Sequence, residues 1–357
     1  MNKIAKILVK WYPRKARPLP WRLDRDPYHV WVAEIMLQQT RVETVIPYYQ
    51  RWMNKFPSLK KLAESDLQEI LRVWEGLGYY SRARNLQKAA NVIRQNYGGV
   101  IPSEASKLLH LPGIGRSTAG AIASISYNQD EPILDGNVKR VMARVFNYET
   151  PINLARNEIE LWKLSGQILP KGQAGIFNQA LMELGETICL PKNPRCSDCP
   201  ICKNCQSFIL GMQDKRPVRL RKVRIPHYEV VAAVIKERGR FLITQRPVGK
   251  LLAGMWEFPG GKVEKGEILE QTLHREMMEE LNVEIKAGRE IGMYKHAYTH
   301  FSVLVHAFYC LRVSGRFTPR EVQQIAWVKS AEFSHYPMGK VDRLIARQVA
   351  DNVIKSV

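Results

Sequence analysis

Residues 189–205 read CLPKNPRCSDCPICKNC and contain five of the six cysteines of the chain. In a reducing compartment, such a cluster indicates metal ligation and not disulfide bonds. Four of these cysteines follow the spacing C-x6-C-x2-C-x5-C: Cys189, Cys196, Cys199 and Cys205. Their thiolates suit either a tetrahedral zinc ion or an iron–sulfur cubane. A zinc ribbon usually pairs two C-x2-C knuckles across a longer spacer, whereas in this spacing one knuckle is flanked by single cysteines. Cys202 falls outside the spacing, and we interpret it as a spare thiol that competes only weakly as a ligand.

The periodicity of the sequence changes after this loop. Between about residues 30 and 208, apolar residues recur at three- and four-residue spacings, which predicts successive amphipathic helices. The stretch 211–227 is basic and lacks a helical stripe, so we interpret it as an interdomain linker. Beyond it, short β-type runs surround one helical pattern at 269–281. The sequence therefore predicts a multidomain protein, with an all-α domain at 1–210 and an α+β domain at 228–357.

The chain carries a strong positive charge. Its 357 residues include 54 Lys and Arg against 34 Asp and Glu, a formal net charge of +20. This charge attracts polyanions and makes nucleic acid the first expected partner, although ribosome-associated and membrane-surface proteins share it. No run of about 18 apolar residues could span a bilayer, and early prolines interrupt any signal-peptide core. We expect a soluble, cytoplasmic protein.

A glycine-rich turn separates two of the predicted helices. Residues 111–115 read LPGIG, and a run of small and apolar residues follows them. Gly113 and Gly115 let the backbone approach a phosphate, which the free N–H groups at the start of the next helix would hold. An ordinary helix–helix turn is the alternative interpretation.

Two acidic residues are candidates for catalysis. Glu34 lies within VWVAEIML (30–37), where burial would raise its pKa and make it a proton donor near neutral pH. A narrow polar stripe on a half-exposed helix is the alternative. Asp135 follows an apolar run and precedes Gly136, so a turn or a helix N-cap explains it equally well from these residues alone.

The chain resembles the MutY family of adenine DNA glycosylases, which belongs to the endonuclease III superfamily, over essentially its whole length. The resemblance lies in the cysteine spacing and in five motifs in the same order: LPWR (19–22), EIMLQQT (34–40), GLGYY (76–80), LPGIG (111–115) and DGNV (135–138). It implies a monomeric, nucleoid-associated repair enzyme that flips adenine out of a mispair with 8-oxoguanine or guanine in double-stranded DNA and hydrolyses its N-glycosidic bond. It also implies a 4Fe-4S cluster on the four cysteines.

The same resemblance assigns roles to individual residues. It implies that Glu34 is the catalytic acid, that Asp135 stabilises the oxocarbenium charge of the departing sugar, and that Asn137 orients Asp135. The implied lining of the adenine pocket is Trp21, Arg22, Leu37, Val42, Gln179 and Met182. For Leu37, Val42 and Met182, plain core packing is the alternative. The implied DNA contacts are Gln39, Thr40, Tyr79, Gly113 and Gly115. Of these, Gln39 and Tyr79 would fill or wedge the base stack.

Ser117 stands where endonuclease III-like lyases carry a lysine. A serine cannot form the Schiff base that a lyase requires, so we predict a monofunctional glycosylase. Lys139 is the nearest amine in the Asp135 segment and could give weak strand cleavage.

Residues 228–345 resemble a Nudix domain. Six residues match the conserved positions of the Nudix box: Gly261, Glu267, Arg275, Glu276, Glu279 and Glu280. Asn282 stands in place of the last glycine of the box. Glu276, Glu279 and Glu280 share one helical face that suits Mg²⁺, so a second, nucleotide-hydrolysing activity stays open as an alternative. We favour an acidic helix without activity.

The loop Tyr298-Thr299-His300 resembles the Phe-Ser-His loop with which the MutY family recognises 8-oxoguanine. Thr299 and His300 would form hydrogen bonds to the oxidised base, although surface histidines are the alternative.

Two other functions would keep the same motifs but release no adenine. One is a nucleotide hydrolase whose helical half only binds DNA, and the other is a DNA-binding redox sensor that carries the cluster but has no catalytic activity.

Overall fold

The computed structural model describes residues 2–220 and 225–354. Its contacts divide the chain into two units, of which the first comprises Met1–Glu64 and Asn85–Lys222 and the second Ser65–Arg84 and Val223–Val357. Residues 221–224, which are part of the predicted linker, lie outside the described residues. Within the described ranges, no helix is long and apolar enough to cross a lipid bilayer.

The chain up to the linker is helical. Its α-helices are α1 (Lys3–Lys15), α2 (Pro27–Leu37), α3 (Val42–Lys55), α4 (Leu59–Glu64), α5 (Leu67–Trp74), α6 (Ser81–Asn96), α7 (Ala105–Leu108), α8 (Arg116–Tyr127), α9 (Gly136–Val145), α10 (Ala155–Gln167), α11 (Ala174–Thr187) and α12 (Gln206–Ile209). Short 3-10 turns occur at Pro20–Arg22, Cys196–Asp198 and Cys202–Asn204. The cysteine loop therefore follows α11 and precedes α12.

Helices α2, α8, α9 and α11 form the part of the first unit that positions the site. The Asp26 side chain caps α2 by accepting a hydrogen bond from the Tyr28 N–H at 2.7 Å, and Pro27 supplies a preset first turn. Seven of the eleven residues of α2 are buried and none is fully exposed, as expected for a helix that is apolar on most sides. Helix α2 packs on α8, and α11 packs on both α8 and α9. A Cβ atom at Gly185 of α11 would lie 2.7 Å from the Asn137 Cβ, so only glycine permits this approach.

Six strands of the described chain form a mixed sheet in the second unit. They are β1 (His227–Glu237), β2 (Arg240–Gln245), β3 (Trp256–Glu257), β4 (Val283–Ala297), β5 (Ser302–Gly315) and β6 (Gln324–Val328). The sheet order is β3-β2-β1-β5-β4, and β6 also pairs with β2. Strand β1 runs parallel to β5, whereas β1 with β2, β2 with β3 and β6, and β4 with β5 are antiparallel.

Two helices cover the two faces of this sheet: α13 (Leu269–Leu281) and α14 (Lys340–Ile354). Side chains alternate along β1, so that Val231 and Ile235 share a core with Leu273 and Leu281 of α13. On the opposite face, Val234 shares a core with α14. The predicted fold class, a helical domain followed by an α+β domain, is confirmed.

Candidate active site

The first unit contains a cavity of about 550 Å³. Three groups of residues line it: the acids Glu34 and Asp135 with Asn137 and Ser117, the proposed base pocket Trp21, Arg22, Leu37, Val42, Gln179 and Met182, and the turn residues Gln39, Thr40 and Gly115. These residues come from α2, α3, α8, α9, α11 and the segments between them. Gly113 and Tyr79 do not line this cavity.

Glu34 lies on α2, and its carboxyl faces the cavity. Burial is the largest influence on this group and, with the nearby negative charge of Asp135, raises its pKa to about 7, while Arg22 acts in the opposite direction. A carboxyl with this pKa is protonated in a large fraction of molecules at neutral pH. The neighbours of Glu34 on α2, Ala33 and Ile35, are buried. Val30 and Trp31, one helical turn before Glu34, are buried as well, whereas Glu34 itself is half-buried where it reaches the cavity.

Asp135 caps helix α9. Its Oδ1 accepts a hydrogen bond from the Val138 N–H at 2.7 Å. Burial prevails and raises the pKa of Asp135, although the Val138 and Asn137 N–H groups and the Arg140 guanidinium act to lower it. These donors favour the charged carboxylate, and donors of this kind are what an ionised acid requires in a buried site. Asp135 therefore both caps α9, as one interpretation predicted, and lines the cavity.

Asn137 is held through its side chain by residues other than Asp135. Its Nδ2 donates to Glu186 Oε2 at 3.0 Å, and its Oδ1 accepts from the Arg140 guanidinium at 2.7 Å. Arg140 also donates to the carbonyl oxygens of Gly185 and Cys189, each at 2.7 Å. A chain of hydrogen bonds therefore runs from the cap of α9 to the first cysteine of the loop. Sequence reasoning missed Arg140 and Glu186.

Arg144 connects α9 to the cysteine loop one helical turn further on. Its guanidinium donates to Cys189 Sγ at 3.3 Å and to the Leu190 carbonyl at 2.6 Å. The Arg144 side chain is 2% exposed, so its charge lies against the loop and not in solvent. A cation in this position stabilises negative charge on the cysteine sulfurs.

All six cysteines lie within the described residues and are free thiols. Burial, together with negative charges on Cys189, Cys205 and Cys202, raises the pKa of Cys199 to about 12, so these groups are close to one another. Such a thiol ionises only when a cation compensates the charge, which iron would do. Four crowded soft donors therefore fit an iron–sulfur cluster. Cys202 lies in the same neighbourhood.

The remaining predicted residues of the cavity have structural partners. Ser117 Oγ accepts from the Leu134 N–H at 3.2 Å and so supports the strand-like segment that leads to Asp135. Lys139 is paired with Glu158 Oε2 at 2.8 Å. Gln179 Oε1 accepts from the Tyr12 hydroxyl at 3.1 Å, which orients its amide.

Glu183 is a fully buried acid of α11 that sequence reasoning missed. It is 0% exposed and pairs with Arg17 at 2.7 Å and with Arg22 at 2.8 Å. Burial raises its pKa, but the hydrogen bonds and charges of the two arginines prevail and lower it. Because Arg22 also lies over the Tyr12 ring, its guanidinium is fixed from two sides.

The loop predicted to recognise the lesion joins β4 to β5 in the second unit. The Tyr298 N–H donates to the Phe301 carbonyl at 2.8 Å, which closes the turn, and the two rings lie 4.7 Å apart. Thr299 Oγ1 forms a short hydrogen bond with the Tyr79 hydroxyl. The structure thus brings Tyr79, a predicted DNA contact, together with Thr299 of the loop predicted to recognise 8-oxoguanine. His300 lies next to them at the tip of the turn.

The acids of the Nudix box are largely paired with an arginine of the same box. Arg275 contacts Glu267 at 2.7 Å, Glu276 at 2.9 Å and Glu279 at 3.0 Å. Glu280 accepts from the Gly260 N–H at 3.2 Å, and burial raises its pKa to about 7. Among the residues that the structure describes, no three His, Cys, Asp or Glu side chains converge on one metal ion.

Two family descriptions match the sequence. Residues 32–165 match the HhH-GPD superfamily of base excision DNA repair proteins, and residues 230–348 match the NUDIX domain. The chain is also similar to the structure of a thermostable thymine-DNA glycosylase, with a TM-score of 0.53 and 29% identity over 58% of this chain and 95% of that one. The fold and the cavity therefore define a base-excision repair glycosylase with an added Nudix domain.

Two relatives narrow this class. The adenine DNA glycosylase of Buchnera aphidicola subsp. Acyrthosiphon pisum is 35% identical over 298 residues, which cover 83% of this chain and 83% of that protein. The adenine DNA glycosylase of Homo sapiens is 35% identical over 91% of this chain and 70% of its own length. The chain belongs to the adenine DNA glycosylase family. This membership confirms the prediction of a DNA N-glycosylase that acts in base excision repair.

Proposed function

We propose that this chain excises adenine from A:8-oxoguanine and A:G mispairs in double-stranded DNA by acid-assisted hydrolysis. The observation that carries the proposal is a pair of carboxyl groups on one cavity, of which Glu34 has a pKa near 7 and Asp135 accepts backbone hydrogen bonds. Two acids with such different surroundings divide the roles of proton donor and anion. Single-turnover release of adenine from A:8-oxoguanine, A:G and A:T duplexes tests the proposal, and equal release from all three would contradict it.

The first role belongs to Glu34. Adenine is a poor leaving group until one of its ring nitrogens is protonated, and the protonated Glu34 carboxyl supplies that proton. The bond between the sugar C1′ and the base then breaks, and its electron pair leaves with the neutral adenine. Glu34 is left as a carboxylate that can accept a proton from the attacking water.

The second role belongs to Asp135. Loss of the base leaves positive charge on the sugar, and the Asp135 carboxylate stabilises that charge until water adds to C1′. The cap on α9 holds this carboxylate in place before the reaction, so little reorganisation is needed. Asn137 supports the position through its backbone N–H and through the side-chain link to Arg140.

The cavity volume suits one extruded base. A target adenine in a duplex cannot reach Glu34, so the nucleotide must rotate out of the stack. Gln179 and Arg22 present an oriented amide and a fixed guanidinium to the polar edge of the base, while Trp21 and Leu37 contribute apolar wall. Val42 and Met182 line the same cavity.

Several turn residues are suited to hold the opened duplex. Two residues in turns have a left-handed backbone, which is uncommon for residues other than glycine. These are Gln39, with a φ of 57°, and Tyr79, with a φ of 48°. We assign them to fill or wedge the gap that the extruded base leaves. Gly113, also left-handed, precedes the N-terminus of α8, where N–H groups bind a DNA phosphate, and Gly115 keeps that approach open.

The cysteine loop holds a 4Fe-4S cluster in this proposal, on Cys189, Cys196, Cys199 and Cys205. A single zinc ion would draw several sulfurs to about 2.3 Å from one point. A cubane instead binds each of four thiolates at a different iron, and four free thiols close together in one loop can supply one ligand to each iron. When bound, the cluster holds the loop together, and the loop then presents the basic residues Lys192 and Arg195 to the DNA backbone.

We expect about four iron atoms per chain and a brown colour after anaerobic purification. Replacing Cys199 with Ser removes a ligand and should lower the iron content, whereas Cys202→Ser and the buried Cys310→Ser should keep it. Metal analysis by mass spectrometry measures all four proteins. Stoichiometric zinc without iron, or full iron in Cys199→Ser, would reject the assignment.

The loop 298–300 gives the preference for 8-oxoguanine. Thr299 supplies a hydroxyl and His300 an imidazole, and both groups can bond to the features that distinguish 8-oxoguanine from guanine. The contact between Thr299 and Tyr79 supports this role, because it joins the lesion loop to the proposed wedge.

The double variant Thr299→Ala with His300→Ala should narrow the rate ratio of A:8-oxoguanine to A:G roughly tenfold, since two hydrogen bonds to the lesion are lost. Single-turnover excision on the two duplexes measures the ratio. Thr318→Ala with His335→Ala, at exposed sites in other turns of the same unit, is the matched control. An unchanged ratio in the loop variant would place recognition elsewhere.

The chain acts as a monomer on nucleoid DNA in this proposal, without a second nucleotide-hydrolysing activity. The pairing of Arg275 with Glu267, Glu276 and Glu279 supports the inactive alternative for the Nudix box, because these carboxylates are compensated by a cation that the protein itself supplies. Hydrolysis through Mg²⁺ would require them to exchange that partner for the metal.

A further inference from the structure

One stretch of sequence lies between helices of the first unit but belongs to the second unit. Ser65–Arg84 contains α5 and the loop 75–80, which carries Tyr79, and it groups with Val223–Val357. The position of Tyr79 therefore depends on how this stretch is held by the Nudix domain.

The loop 75–80 has no regular structure of its own to hold it. Gly76, Gly78 and Tyr79 have left-handed φ values of 96°, 76° and 48°. Such a run interrupts the helical hydrogen bonds between α5 and α6. Trp74 of α5 and Arg82 of α6 each donate to the Gly78 carbonyl, at 3.0 and 3.1 Å, and so hold the middle of the loop, whereas other segments hold its two ends. The Tyr79 side chain is also 43% exposed, which leaves it free to enter a base stack.

The backbone of Met338 holds both ends of this loop. Its N–H donates to Glu75 Oε2 at 3.1 Å, and its carbonyl accepts from the Tyr80 hydroxyl at 3.5 Å. The Tyr80 hydroxyl in turn accepts from the Gly76 N–H at 3.2 Å. Glu75 and Tyr80, the two end residues of the loop, thus both form hydrogen bonds with one residue of the Nudix domain.

Arg343 of α14 completes the attachment through a two-point ion pair. Its Nε and one terminal nitrogen contact the two Glu75 oxygens at 2.6 and 2.8 Å. The pair is well shielded, with side-chain exposures of 16% for Arg343 and 20% for Glu75, so it is stronger than an exposed pair. Arg343 also donates to the carbonyls of Phe333 and Tyr336, which fix the guanidinium to its own domain.

Other contacts of the same stretch do not involve Glu75. Gln68 donates to the Gly254 carbonyl at 3.0 Å and accepts from Trp256 Nε1 at 3.0 Å. Arg84 donates to the Ala253 carbonyl at 2.8 Å. These hydrogen bonds lie at the two ends of the stretch and should hold it in place when the charge of Glu75 is removed. Only the loop 75–80 between them should then become more mobile.

We propose that Glu75 and Arg343 are positioning residues for Tyr79. Through these two residues the Nudix domain fixes the position of Tyr79, which fills the gap left by the extruded base. The same domain also contacts the lesion. The inference rests on the proposed wedge role of Tyr79. It explains why a Nudix helix, α14, and a loop next to α5 share a shielded ion pair, and it places the Tyr79 hydroxyl against Thr299 of the lesion loop.

The variant Glu75→Gln tests the inference with little change of shape. It keeps an acceptor for the Met338 N–H but removes the charge that binds Arg343. We expect a roughly tenfold slower single-turnover excision of adenine opposite 8-oxoguanine. A 2-aminopurine next to the target adenine should show a smaller fluorescence rise on binding, because the base is extruded less often. Glu64→Gln is the matched control, since its partner Arg94 is 3.7 Å away and both side chains are 45% exposed.

A double-mutant cycle with Tyr79→Ala separates positioning from general stabilisation. If Glu75 acts through Tyr79, adding Glu75→Gln to Tyr79→Ala slows excision by less than twofold further. Arg343→Lys, which keeps the charge but loses the two-point geometry, should show the same dependence. Fully additive losses, or a normal rate in Glu75→Gln, would overturn the inference. If Tyr79→Ala alone excises adenine at the normal rate, the wedge role itself is wrong and the inference falls with it.

Discussion

Glu34→Gln should abolish measurable adenine release while binding to a mispair-containing duplex persists. Glutamine keeps the shape of the side chain but has no proton to donate at neutral pH. General acid catalysis contributes about 10²- to 10⁴-fold, and the poor leaving group here places the expected loss at the upper end, about 10⁴-fold. Single-turnover excision with enzyme in excess over DNA measures the rate, and a gel-shift titration measures binding.

Glu43→Gln, at an exposed position of α3, is the control for this change and should excise adenine at the normal rate. A near-normal rate in Glu34→Gln would remove Glu34 from the role of acid. Loss of rate and of DNA binding together would instead indicate a damaged fold, which the thermal melting curve of the variant reveals.

Asp135→Asn should slow excision about 10²- to 10³-fold, the usual cost of losing a preorganised electrostatic partner of the transition state. This substitution separates two properties of Asp135, because Asn caps a helix as well as Asp does but carries no charge. We therefore expect α9 to stay folded, and the melting temperature to stay close to that of the unmodified protein, while the sugar cation loses its counter-charge.

Asp66→Asn provides a matched control for Asp135→Asn. Asp66 caps α5 through the Gln68 N–H at 2.7 Å and does not line the cavity. Its replacement should leave excision unchanged. If Asp135→Asn excised adenine at the normal rate, capping alone would explain why this position is acidic.

The features that could be predicted from the sequence are those with a local signature. The cysteine spacing, the LPGIG turn and the acid within an apolar helix each depend on residues within one short segment, and Glu34 lies on the cavity as the pattern around it indicates. Strand β1 and helix α13 follow from their periodicity in the same way. Strand β4 was not predicted, because only its first residues are buried and the rest lacks a continuous apolar face.

The charged residues that support the site could not be predicted, since their partners are distant in sequence. Arg140 and Arg144 stand at an i, i+4 spacing on α9 and look like an exposed basic face, but both are buried against carbonyls and a sulfur of the cysteine loop. Glu183 likewise looks like a surface residue of α11 and is paired with Arg17 and Arg22, more than 160 positions earlier. No periodicity within either helix reports such pairs.

The place of Ser65–Arg84 is a third feature that the sequence alone did not indicate. Its helical pattern is continuous with the helices on both sides, and nothing in it distinguishes a helix that groups with a β-sheet. The partners that hold it, Met338 and Arg343, lie about 260 residues further along the chain.

The most direct test of the central claim is the pH dependence of adenine release from an A:8-oxoguanine duplex under single-turnover conditions. Because the pKa of Glu34 is raised to about 7, the acid is protonated below that pH and loses its proton above it. The rate of free adenine formation should therefore fall about tenfold per pH unit above about 7, and it should fall again at acidic pH where Asp135 gains a proton and loses its charge. A rate that stays level well above that pH, or the absence of free adenine at any pH, would contradict the account.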